Sequence, residues 1–409
     1  MLQASAVVAG GALCLHNGLR AAGPQRRGNG TRVVVALFQR GGADALNLYA
    51  PTGDPDYAVL RPNIGLGAPG SAAAVEGLSM DAMFSMHPAM TGLHASFAQA
   101  NSRCAVVPAV GYQPYSRSHF ASQDLYETTL LGSGAEGWIN RHLQATAAPG
   151  EAPVRALALR KVLPRSMVGS HACYAVQSTR DLAFAGTSEQ RVFAEAIAAG
   201  TPTGAMAPQR QLAYRTQRET FALLDLFAAL DPVNYVPSNG AVYPEGRLGE
   251  ALREVAEVIK GNLGVEFFAV DQGGWDHHSN LVPRIDANAA EYSAAIAAFF
   301  VDLGGLADDV VLVSMSEFGR SAAENGSLGT DHGAGGAMAV VGGAGTAVQG
   351  GQVHGTWPGL SPSALLQGKH VAPSNDFRDV LREVLDVHMG GTDPNLVFPS
   401  HVFQPIGVL

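Results

Sequence analysis

The chain has 409 residues, 47% of them hydrophobic and 15% charged, which is enough apolar material for a large buried core and too much for a disordered segment. Its 35 acidic and 26 basic residues give a formal net charge of -9, and apart from Arg26-Arg27 the cations are scattered, which argues against nucleic-acid binding. Cys14, Cys104 and Cys173 lack CxxC spacing, so they indicate neither a disulfide framework nor a thiolate zinc site.

Residues 2–15 form a weakly hydrophobic, small-residue run, too short for a membrane span. The run resembles the middle of a twin-arginine export signal whose arginine pair would stand upstream of Met1; Arg26-Arg27 follows it and cannot serve. Residues 1–25 are therefore read as an export-signal remnant, and a periplasmic or secreted protein is expected. The rest, 26–409, is expected to be one large α/β domain with an insertion or cap at about 145–245 that shapes the substrate pocket.

Residues 33–38 predict a strand buried on both faces, followed by a glycine turn from which Asp44 either projects over the sheet edge or caps a short helix. The Gly/Pro/Ala-rich residues 51–86 read as irregular surface structure. A strand at 104–110 leads to a helix start at 115–124, where Ser116 or Ser118 reads first as an N-cap, and the same position also suits a nucleophile at a helix N-terminus. Within the insertion, 154–162 and 172–176 read as strands.

The amphipathic helix at 248–259 feeds a buried strand at 265–270, which ends in Gly273-Gly274-Trp275-Asp276-His277-His278. Asp276 and His278 lie two apart, so in extended backbone they share a side while His277 points away. Ile285, Ala289, Tyr292, Ile296, Phe299 and Leu303 then mark a long helix returning to a strand at 310–315, a parallel crossover unit. Beyond that strand, Asp331 and His332 are adjacent, and they can share an ion only if the chain leaves extended geometry, which Gly333 permits. A glycine-lined turn supplies His354, and Asp376 caps a final amphipathic helix. Two Asp/His pairs at successive strand ends point to a metal site, with mixed ligation suited to zinc or manganese. No transmembrane helix is read from the sequence.

The ordered set RGGADALN (40–47), YSRSHFASQD (115–124), GGWDHHSN (273–280), SEFGRS (316–321), TDHGAGG (330–336) and VHGTWPGL (353–360) resembles the bacterial domain of unknown function 1501, a family exported in many bacteria and grouped with alkaline phosphatases and sulfatases. The resemblance implies a doubly wound, mostly parallel sheet flanked by helices, with two divalent ions at its carboxyl edge. It further implies that Asp44 is the first-strand ligand and that Asp331 and His332 hold one metal, with Asp276, His278 and His354 holding the other. Alkaline phosphatases separate this last Asp and His by three residues where here only one intervenes, so Asp271 or His277 stands as a substitute. Ser118 takes the nucleophile's place, with Ser116 as its rival and Arg117 and His119 as catalytic neighbours. Arg40, Asn47 and Arg320 are the substrate-binding candidates. The implied activity is hydrolysis of a small-molecule or polymer-borne phosphate or sulfate ester. The alternatives are a secreted binding or assembly protein retaining the fold, and phosphomutase-type transfer at the same site.

Overall fold

The apolar run expected at the start of the domain forms β1, Val33–Gln39, buried along its whole length. In this computed structural model, residues 31–130, 136–182, 184–201, 203, 204 and 207–409 are described; the export-signal segment 1–25 lies outside them. Successive side chains of β1 serve opposite faces. Val33, Val35 and Leu37 join one hydrophobic core, and Val34, Ala36 and Phe38 join a second. Each large aliphatic or aromatic side chain so buried contributes about 1.5–3 kcal/mol, which is why a strand of this composition takes a central place.

The remaining strands of the main sheet are β2 (Cys104–Gly111), β3 (Ala156–Leu159), β4 (Tyr174–Val176), β5 (Phe267–Gln272), β6 (Val310–Met315), β7 (Gly336–Gly342), β8 (Gln352–Val353) and β9 (Asn375–Asp376). Their order is β8-β2-β7-β6-β1-β5-β3-β4, with β9 also pairing β2. All pairings are parallel except the two that β7 makes with β2 and β6. The carboxyl ends of β1, β2, β5 and β6 therefore share one edge, and the antiparallel β7 begins there.

Helices cover both faces. On one face lie α2 (Arg247–Lys260) and α3 (Leu281–Leu303), which bury Leu248, Leu252, Val255, Ile285, Tyr292, Ile296 and Phe299. On the other lie α1 (His119–Thr128) and α4 (Phe377–Glu383), with Leu125, Tyr126, Phe377 and Val380 in the second core. The α3 spacing follows the expected crossover from β5 to β6, and β1 lies between these two strands. Residues Leu281–Asp309 are long and apolar enough to span a membrane by length and composition, but half of that window is buried, as in a core helix.

Two expectations need correction. β3 and β4, inside the supposed 145–245 cap, extend the main sheet beside β5, because short all-apolar strands bury best against an existing edge. Residues 51–86 are not merely surface, since Tyr57, Arg61 and Ile64 are buried there.

Candidate metal centre

Five segments meet at the carboxyl edge: the loops after β1, β2, β5 and β6 and the lead-in to β7. Their approach requires glycine. A Cβ on Gly41, whose φ is +121°, would stand 2.6 Å from the Asp276 backbone nitrogen, and one on Gly319 would stand 1.8 Å from the Gly335 carbonyl oxygen. The motifs after β6 and before β7 pair with each other: Ser321 N–H donates to Asp331 O (2.8 Å) and Gly333 N–H to Gly319 O (2.8 Å).

The two-residue spacing after β5 works as expected. Asp276 and His278 emerge together, half exposed, with His278 Nε2 3.0 Å from Asp276 Oδ1. His277 turns inward and is fully buried, and burial pulls its pKa down to about 4. His332 Nε2 lies 3.0 Å from His278 Nε2 and 3.3 Å from Asp276 Oδ1, and His119 Nε2 is 3.6 Å from Asp276 Oδ2. Ligand atoms of His119, Asp276 and His332 all fall within 4.8 Å of one another.

The far side of each ring is pinned. His119 Nδ1 lies 2.8 Å from Glu317 Oε1, His332 Nδ1 2.8 Å from the Arg117 carbonyl oxygen, and His278 Nδ1 3.4 Å from Asp331 Oδ1. Carbonyl and ionised carboxylate oxygens only accept, so each Nδ1 carries the hydrogen and each neutral ring presents a bare Nε2 lone pair. Three such lone pairs converging on a carboxylate repel one another unless a proton or a cation sits among them. The separations among His278, Asp276 and His332, 3.0–3.3 Å, are close to the roughly 3.3 Å between ligands held at zinc-like bond lengths of about 2.0–2.1 Å, and His119 lies within reach of the same point. The donor set therefore fits a divalent ion, and its backing resembles the hydrogen-bonded outer shell that orients metal-binding histidines.

Two buried side chains hold this set in place. Glu317 is fully buried; its Oε1 accepts from His119, Gln123 Nε2 (3.0 Å) and Gly41 N–H (2.8 Å). Burial pushes its carboxyl up, but the bonds from His119 and Gln123 outweigh that and bring it below its ordinary value. Arg320 donates to Asp276 Oδ1 at 2.7 Å and to the carbonyls of Gly41, Gly42, Thr330 and Trp275. Burial raises the Asp276 carboxyl as well, yet Arg320, His278 and His332 together hold it below the usual carboxylate range.

Several expected roles change. Asp44 is fully buried, paired with Arg61 Nη1 (2.8 Å) and accepting from Thr330 Oγ1 (2.9 Å), so its oxygens are already engaged. Asp331 stands behind His278 and does not join the converging donors, as its adjacency to His332 in an extended pairing requires. His354 sits on the β8 side of β2, its backbone N–H bonded to Val106 O and its ring to Gln349 O, and it makes no contact with the cluster among the described residues. His119, expected to be catalytic, is instead one of the donors. The alternates fail too: Asp271 is paired with Arg40 and Arg160, and His277 faces away. Among the anion-binding candidates, Arg40 is consumed by Glu127 and Asp271, Arg320 by the bonds above, and buried Asn47 donates to Ile64 O. Arg117 is exposed, with no side-chain partner among the described residues. Ser118 is exposed at the α1 N-cap and makes no cap bond, whereas Ser116 Oγ is occupied by the Ser118 N–H at 3.1 Å.

The family model described as "Protein of unknown function (DUF1501)" matches residues 31–395. No curated protein matches the chain. Two solved structures of TAB5 alkaline phosphatase, both mutants with Mg bound in the M3 site, are similar at 10% and 9% identity, each with a TM-score of 0.31 and with 77% of this chain and 93% of theirs covered.

Proposed function

The chain belongs to the DUF1501 family of proteins of unknown function, and from that premise we propose that it is a metal-dependent hydrolase of phosphate or sulfate esters with an alkaline phosphatase-like site. The observation that carries this reading is the convergence of three Nε2 lone pairs on Asp276, each ring pinned from behind. His119, Asp276 and His332 would hold the ion, with His278 as a fourth donor. A divalent cation there would supply Lewis acidity, polarising an ester oxygen and lowering the pKa of a hydroxyl or water.

The protein's own groups supply the rest. Ser118 stands in the chain between Arg117, whose carbonyl anchors His332, and the donor His119, and its hydroxyl, which makes no cap bond, would be the nucleophile. Its oxygen would attack the phosphorus or sulfur and displace the alcohol, and water would later release the anion. With Arg40 and Arg320 saturated, Arg117 is the guanidinium left to receive the anionic ester. The two-ion arrangement loses support because Asp44 is paired and His354 lies elsewhere, so we favour one ion per site. The same losses favour the rival reading, a non-catalytic binding protein that keeps the ion.

Turnover of phosphate and sulfate aryl esters, assayed with and without added zinc or manganese, separates the two. The hydrolase reading expects metal-dependent turnover that Ser118→Ala abolishes while metal binding persists. Full turnover in Ser118→Ala removes the serine from the mechanism, and no turnover in metal-loaded wild type removes the hydrolase.

A further inference from the structure

The loop that carries Arg117 is tied to a second turn, residues 366–370. Tyr115 Oη donates to Gln367 Oε1 at 2.9 Å, and the Tyr115 ring meets the His370 ring edge-on with centroids 5.9 Å apart. That turn is fixed to the metal centre from its other side. Ala322 N–H donates to Lys369 O (2.9 Å), and Ser321, which pairs with His370, also receives the Asp331 N–H on its hydroxyl at 3.2 Å.

The turn therefore places His370, and with it Lys369, against Tyr115, two residues before Arg117. The His370 side chain is almost wholly buried, yet its Nδ1 has no hydrogen-bond partner among the described residues. Burial first, then the positive charges of Arg117 and Lys369, depress its pKa, with no carboxylate offsetting them. Lys369 and Arg117 are exposed and without side-chain partners among the described residues. Like charges gathered without an acid raise the local potential, an arrangement that an acidic chain of net charge -9 gains nothing from in folding.

We propose that Lys369 and His370, next to the Arg117 that meets the reacting ester, form an anion subsite that receives a second anionic group of the substrate. The substrate class is then an ester that carries a further phosphate, sulfate or carboxylate near the reacting one, as on a polyanionic chain. The substrate assignment rests on the hydrolase reading; the subsite itself does not need the ion.

The test is titration of metal-free full-length protein with inorganic phosphate, and separately with sulfate, followed by calorimetry. Wild type should bind saturably, and Lys369→Gln and His370→Gln should each weaken binding at least tenfold. Lys369 is exposed, so its variant keeps the test valid if His370→Gln fails to fold. No saturable binding by wild type, or unchanged binding by Lys369→Gln, overturns the subsite. Failure of the hydrolase reading shows separately, as metal-loaded wild type that binds phosphate but turns over no ester.

Discussion

Replacing Glu317 by Gln tests whether the charge behind His119 matters to the cation. Glu317 Oε1 accepts three hydrogen bonds, from His119 Nδ1, Gln123 Nε2 and Gly41 N–H, while Oε2 lies 3.1 Å from Ser316 Oγ. A glutamine carbonyl in the Oε1 position keeps those three bonds, and its amide can donate to Ser316 Oγ, so the fold should survive. What disappears is the negative charge that makes the His119 ring a stronger donor. Loss of such an outer carboxylate costs about 10–100-fold in metal affinity, or roughly 1.4–2.7 kcal/mol. Glu317→Ala should lose more, because it also strands buried donors at about 1–3 kcal/mol each. Competition of zinc against a chromophoric chelator measures the affinity, and thermal melts of the metal-free proteins separate it from stability. Wild-type affinity in a folded Glu317→Gln would refute the reasoning.

Two further outcomes follow from the buried charges and rings. Arg320→Met strips a fully buried guanidinium from half-exposed Asp276 and from its carbonyl partners, so it should lower stability in denaturant melts by about 1–3 kcal/mol for each buried acceptor left unpaired. His142 is buried on Phe267, and burial, reinforced by Arg155, pulls its pKa from 6.5 to about 4. The unfolded chain thus takes up this proton below pH 6.5 and the folded one only near 4. Stability from this group is present above 6.5 and falls as the pH drops to about 4, by an amount on the order of 3 kcal/mol. Urea melts across that range should show a shallower acid-side loss in His142→Phe; an identical slope would contradict the burial argument.

Much of the sheet was legible because doubly buried strands write themselves as unbroken apolar runs. The shared side of Asp276 and His278, and the inward turn of His277, followed from strand alternation alone. The split between Asp331 and His332 was likewise foreseeable, since adjacent residues in an extended pairing cannot aim at one point. What the sequence hid were pairings between distant residues. Arg61, in a Gly/Pro-rich stretch, consumes Asp44, and no local pattern announces a buried ion pair. Glu317 carried no role within the SEFGRS motif, although a carboxylate following an apolar strand was the available signal that it would be drawn under the edge. His354 looked equivalent to the other histidines because its glycine-rich turn resembles theirs, yet β8 pairs beside Ala105 and Val106, far back along β2 from its carboxyl end.

Whether His119, Asp276, His278 and His332 form a cation site is read out by elemental analysis after loading with zinc or manganese and dialysis. Wild type should retain the ion, and His332→Ala and Asp276→Ala should lose it while still folded. An ion-free wild type, or equal retention by both variants, would contradict that site.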